Sequence, residues 1–170
     1  MTSHRLATLG SLLRPMKLVP LLLSLSIGAA VAADGVNTGY FGNVAIGGYD
    51  PVSYFTEGRP TKGSPDISQT WLGATWYFSK AKHRDAFASD PIRYAPQYGG
   101  FCALGTANEQ ASANIDPEAW RIVDGKLFLF SGKEGLEEDF DARAAAVIGI
   151  ADVKWPEVQQ KEFRARQNGN

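Results

Sequence analysis

The sequence is poor in the side chains that most metal sites and many catalytic sites require. It contains one cysteine, Cys102, and two histidines, His4 and His83. A single cysteine excludes an intramolecular disulfide, and a structural zinc site needs more cysteine and histidine ligands than the chain has. Since His4 lies at the extreme N-terminus, His83 alone leaves little room for a serine–histidine–aspartate triad.

Several motifs of common enzyme classes are also missing. The chain has no Walker-type phosphate loop, no Rossmann glycine pattern and no Gly-x-Ser-x-Gly elbow. Its 17 basic and 18 acidic residues nearly balance, so the chain has no large positive charge. The composition therefore favours neither a nucleic acid nor an anionic membrane as partner. We therefore expect a non-enzymatic protein that does not bind nucleic acid.

What the N-terminus does contain is the three-part order of a secretory signal peptide. Three basic residues and no acidic one precede an apolar run at 18–31, and small residues follow at 30–33. The run is shorter than the roughly 20 residues that span a bilayer, and no second apolar run follows. Residues 1–33 are predicted to be cleaved near Ala33 after export by the general secretory route, which gives a periplasmic protein without a membrane span. An uncleaved anchor is the alternative.

The remaining residues are enough for one domain. The predicted strands and helices are segregated along the chain and do not alternate, which indicates the α+β class. We expect a small antiparallel sheet built of β-hairpins, with a short central helix and a C-terminal helix. The predicted organisation is a flexible arm at 34–43, a domain at 44–155 and a polar tail at 156–170. The predicted elements are a hairpin at 67–72 and 74–78, a helix at 80–89, a helical turn at 115–120, a hairpin at 121–123 and 126–130, and a helix at 133–152.

Local signals place several residues within these elements. Ser79 is the predicted N-cap of the central helix, with His83 and Phe87 four residues apart on its buried face. The Gly99–Gly100 pair predicts a sharp turn that needs a positive φ or a close approach of two chain segments. Trp155-Pro156 is expected to end the C-terminal helix.

Four segments occur in an order that resembles the YHS domain family, in the exported branch of that family. The segments are Gly48-Tyr49-Asp50-Pro51-Val52, Trp76-Tyr77-Phe78-Ser79, Phe87-Ala88-Ser89-Asp90-Pro91 and Tyr98-Gly99-Gly100-Phe101-Cys102-Ala103. The resemblance covers about residues 44–132. It implies a metal-binding module of the kind found near copper-transporting pumps and in multicomponent oxygenases.

The chain departs from that family at the positions where metal-type members carry cysteine. Those positions are Ser53, Ser79 and His83 here, so the resemblance retains only one good metal ligand among them. We predict that a transition-metal ion, copper or zinc, or another small ligand binds where His83 meets Cys102, with Asp50 as a further ligand. A soft monovalent ion such as Cu(I) would suit the imidazole and thiolate pair.

Two other interpretations stay open at this stage. A histidine close to Cys102 would make the thiol a nucleophile or a redox sensor. Alternatively, the chain is an interaction module for another periplasmic protein, in which both residues are structural. In that case His83 is a hydrogen-bonded core residue, Cys102 a buried hydrophobe and Asp50 a turn-forming residue.

Overall fold

The computed structural model describes residues 35–39, 42–134 and 136–168, with the side chains of 166–168 excepted. The predicted signal peptide and its cleavage site lie outside the described residues. Within them no helix is long and apolar enough to cross a membrane.

The α+β class is confirmed by two small antiparallel hairpins combined with helices. The strands are β1 (Ser64–Trp71), β2 (Ala74–Phe78), β3 (Asp116–Val123) and β4 (Lys126–Phe130), and the helices are α1 (Pro51–Thr56), α2 (Ala81–Ser89), α3 (Pro91–Tyr94), α4 (Ala103–Ala107) and α5 (Ala144–Asn168). β1 pairs with β2 and β3 pairs with β4, as the sequence predicts for both hairpins.

The predicted helical turn at 115–120 is wrong, because this segment is the first half of β3. Asp116 pairs with Phe130 and Trp120 with Leu129, so the hairpin continues past the point where the local signal suggests a helix. Asp116 still accepts a hydrogen bond from the Glu118 N–H at 2.9 Å, but within extended chain. Burial of Ala119 against the second core cluster favours the strand.

Buried side chains form two clusters, one on each face of β4. The first cluster contains Val36, Ala45, Ile46, Val52, Tyr54, Ala74, Trp76, Phe78, Phe87, Ala95, Leu127 and Leu129. The second contains Tyr98, Cys102, Ala103, Ala119, Phe128, Phe130, Leu136, Phe140, Val147 and Ala151. Alternate residues of β4 therefore belong to different clusters, as expected for a strand covered on both faces.

The C-terminal helix differs from the prediction at both ends. Irregular helical turns span Leu136–Phe140 and Asp141–Arg143, and α5 then runs through Pro156 to Asn168. Pro156 lacks the N–H of a helical residue, but contacts on both sides of it hold the helix together. Trp155 packs against Tyr98, and Val158 is buried. Residues 156–168 are therefore helix rather than a polar tail.

The described part of the predicted flexible arm is an anchored segment. Val36, Asn37 and Thr38 are buried, and the Asn37 side-chain amide donates to the carbonyls of Gly100 and Ala113, each at 2.9 Å. The Asn37 N–H donates to the Gly99 carbonyl at 2.9 Å. The described part of the predicted arm is therefore anchored and not flexible. The predicted glycine turn, against which it lies, is confirmed, because φ is +62° at Gly99 and +85° at Gly100.

The turn of the first hairpin contains a leucine in the left-handed backbone region, which is unfavourable for this residue type. Leu72 has φ +47° before Gly73, whereas the corresponding residue of the second hairpin is Asp124 with φ +51° before Gly125. Aspartate and asparagine tolerate this region better than leucine, whose side chain here is half exposed. Leu72→Asn is expected to raise the free energy of unfolding by about 0.5–1 kcal/mol in urea denaturation. A loss of stability would show that the leucine side chain contributes more packing than its conformation costs.

Candidate functional site

Asp50 is the centre of the candidate site and is fully buried, at 0% exposure. It is the N-cap of α1: its Oδ1 accepts the Val52 N–H at 2.9 Å, and Pro51 occupies the first helical turn, where no N–H is needed. Its own N–H donates to the Thr61 carbonyl at 2.9 Å. An Asp-Pro cap therefore fixes the carboxylate at the point where α1 begins.

The second carboxylate oxygen of Asp50 accepts three hydrogen bonds from the end of β2 and the start of α2. The donors are the Ser79 N–H at 2.8 Å, the Ser79 hydroxyl at 2.6 Å and His83 Nδ1 at 2.7 Å. Together with the Val52 N–H, four donors surround one buried carboxylate. Such a set offsets the cost of removing the charge from water and ties α1 to α2.

Ser79 has a different role from the one that the sequence predicts. The N-cap of α2 is Lys80, which makes no side-chain capping bond, and the Ser79 hydroxyl is directed to Asp50 instead. Asp50 lies 29 residues before Ser79, so no local signal reports this contact. The predicted inward face of the helix is confirmed, since His83 and Phe87 are both buried.

The hydrogen bond to Asp50 determines how His83 presents its other ring nitrogen. Because the carboxylate can only accept, Nδ1 carries a hydrogen, and in the neutral ring Nε2 holds a lone pair. Nε2 lies 3.3 Å from the Thr56 hydroxyl oxygen and 3.8 Å from Glu57 Oε1. The His83 residue is only 6% exposed, so its ring is held between Asp50 and the end of α1.

Glu57 places a second carboxylate at the outer edge of this site. Lys80 Nζ lies 2.6 Å from its Oε1 and Arg59 3.3 Å from its Oε2, and the hydrogen bond from Lys80 is the main cause that lowers the pKa of Glu57. The carboxylate therefore stays ionised beside His83 Nε2. Glu57 and Thr56 have no sequence signal that links them to this site, because their proximity to His83 depends on the packing of α1 against α2.

Cys102 lies in the second core cluster, whereas Asp50 and His83 lie beside the first. It is the N-cap of α4, its sulfur accepts the Gly105 N–H at 3.5 Å, and it is buried. The structure thus brings together Asp50 and His83 of the predicted metal ligands, and it gives no hydrogen bond between Cys102 and either of them. In the described part of the chain, no group of three or more histidine, cysteine or acidic side chains is arranged to hold a metal ion.

No protein-family model, no curated protein and no solved structure matches the chain.

Proposed function

We propose that the protein is an exported, non-catalytic domain that binds one exchangeable transition-metal ion at Nε2 of His83. The observation that carries this proposal is the 2.7 Å hydrogen bond between His83 Nδ1 and the buried Asp50 carboxylate. The resemblance to the YHS family, with its metal-binding members, supports the same function.

The Asp50–His83 pair has the arrangement that orients metal-binding histidines in proteins. A carboxylate that accepts from one ring nitrogen fixes the tautomer, holds the ring and makes the other nitrogen a better ligand. Asp50 is fully buried and its Oδ2 already accepts three hydrogen bonds, so in this proposal it acts as a positioning residue and not as the ligand that the sequence suggests. Glu57 is the second ligand in this proposal, because its Oε1 lies 3.8 Å from Nε2 and its present partner Lys80 has an exposed side chain that a metal ion can displace.

An imidazole and a carboxylate favour a different ion from the imidazole and thiolate of the sequence prediction. Nitrogen and oxygen ligands suit Cu(II) and Zn(II), whereas Cu(I) prefers sulfur. Two protein ligands leave the other positions of the metal to water or to a partner's side chain. We therefore expect weaker and more exchangeable binding than at a structural site with four protein ligands.

Titration of the purified protein with Cu(II) and Zn(II) against a competing chelator tests this site. His83→Asn retains a donor that can reach Asp50 but removes the Nε2 atom, and we expect it to weaken binding by about 10-fold or more. Glu57→Gln, which removes the charge but keeps the shape, should weaken binding by less. Cys102→Ser is the matched control and should leave the affinity unchanged. Equal affinity in wild type and His83→Asn would contradict the proposal.

The position of Cys102 favours thiol chemistry as a second candidate function. Its sulfur, at the N-cap of α4, accepts the Gly105 N–H at 3.5 Å, so a polar group contacts the thiol within an otherwise apolar cluster. If Cys102→Ser abolishes metal binding while His83→Asn does not, the site belongs to the thiol. Rapid alkylation of Cys102 by iodoacetamide in the folded protein would then favour the redox alternative.

A further inference from the structure

The outward face of α5 is apolar over its first three turns. Up to Pro156, its exposed positions are Ala145, Ala146, Gly149, Ile150, Asp152, Val153 and Pro156, of which one is charged. Ile150 is 51% exposed and Val153 77% exposed. The outward side of a helix on a soluble domain is normally polar, and after Pro156 the exposed positions of α5 are indeed mostly polar.

The spacing on this face is that of a helix that packs against another helix. Ala146, Gly149, Val153 and Pro156 recur at intervals of three, four and three residues, which is the alternation of a coiled-coil seam. The described part of the chain places no element over this seam. The inward face of α5, with Val147 and Ala151, is already buried in the second core cluster.

Gly149 lies at the centre of the seam, and nothing in the described chain requires a glycine there. A glycine inside a helix is less favourable than alanine. A Cβ at Gly149 would meet no atom within 4 Å, and its φ is not positive. A residue with no side chain in mid-helix is useful where another backbone approaches closely.

Charges at the two ends of the seam favour a second copy of this chain as its occupant. Arg143, in the turn that leads into α5, is spaced seven residues from Ile150, which is seven residues from Glu157. In an antiparallel pair related by a two-fold axis near Ile150, Arg143 of each copy faces Glu157 of the other and Ile150 faces itself. Arg143 otherwise pairs only with the exposed Asp139 four residues earlier, and an exposed pair of this kind is readily exchanged.

We propose that the protein forms a symmetric antiparallel homodimer through the α5 seam, with the two helices crossing close to Gly149. Ala146, Gly149, Ile150 and Val153 form its centre, and two symmetry-related Arg143–Glu157 pairs form its ends. The His83 site lies on α2 and takes no part in the seam, so this inference stands independently of the proposed function.

Sedimentation equilibrium of the protein expressed from the 170-residue sequence tests the dimer. Val153→Glu places two like charges at the seam and is expected to raise the dimer dissociation constant by about 10-fold or more. The matched control is Ile92→Glu, because Ile92 is 79% exposed on α3, away from the seam. Ile92→Glu should leave the dissociation constant unchanged.

Charge reversal tests the antiparallel orientation. Arg143→Glu and Glu157→Arg should each weaken the dimer several-fold, and the double variant should restore it because the swapped pair re-forms across the two-fold axis. A protein that is monomeric at every concentration, a dimer insensitive to Val153→Glu, or a double variant weaker than both single variants would overturn the proposal. The first of these outcomes would leave the seam to a segment outside the described residues or to another protein.

Discussion

Asp50→Ala is expected to lower the free energy of unfolding by about 3–5 kcal/mol. The substitution removes the acceptor of four hydrogen bonds in a fully buried position. The Val52 N–H would remain buried without a partner, and the half-buried Ser79 N–H and hydroxyl would lose their carboxylate acceptor. Each unpaired buried donor costs about 1–3 kcal/mol. His83 would lose the contact that positions its ring. Urea denaturation followed by circular dichroism measures the change.

Asp90→Ala is the matched control for this substitution. Asp90 also precedes a proline and also caps a helix, accepting the Arg93 N–H at 3.3 Å, but it is exposed and makes that one side-chain hydrogen bond as a cap. We expect a loss of about 1 kcal/mol, the usual value for an exposed cap. Equal losses at Asp50 and Asp90 would show that Asp50 acts only as a helix cap. That result would also remove the argument that Asp50 positions His83.

The two Asp-Pro caps differ in burial and in hydrogen-bond partners, and a local sequence pattern predicts neither of these properties. Both have the same local Asp-Pro signal, and a short helix begins after each of them. Whether the carboxylate is buried depends on Ser79 and His83, which lie 29 and 33 residues further along the chain. No spacing rule links residues so far apart. For this reason Asp50 could be predicted only as a turn-forming residue or a metal ligand.

Local patterns predict those parts of the fold in which neighbouring residues decide the structure. The Asp124–Gly125 turn between two apolar runs is enough to predict the 121–123 and 126–130 parts of the second hairpin, although not the 116–120 part of β3. At α5 the local rule is overridden: Pro156 should end the helix, yet Trp155 packs against the distant Tyr98 and Val158 is buried, and the helix continues. Long-range packing also decides the site: it places Glu57 near His83, and it places Cys102 in the second core cluster.

The N-terminal segment offers a second large effect, through its close approach to the glycine turn. A Cβ on Gly99 would overlap the carbonyl oxygen of Gly35 and press against Val36. Neither neighbour is a flexible side chain that can rotate away, so the backbone of the segment must move. That movement would break the hydrogen bond from Asn37 to the Gly99 carbonyl and disturb the buried Asn37 amide.

Gly99→Ala is therefore expected to lower the free energy of unfolding by about 3–4 kcal/mol, near the upper end for single substitutions. Gly47→Ala is the control, because Gly47 has the same φ of +62° but no atom within 4 Å of an added Cβ. Only the conformational cost of about 1–2 kcal/mol applies there. The excess at Gly99, measured by urea denaturation of both variants, is the contribution of the anchored segment 35–39. Equal losses at the two glycines would mean that this segment can leave Gly99 without a measurable cost.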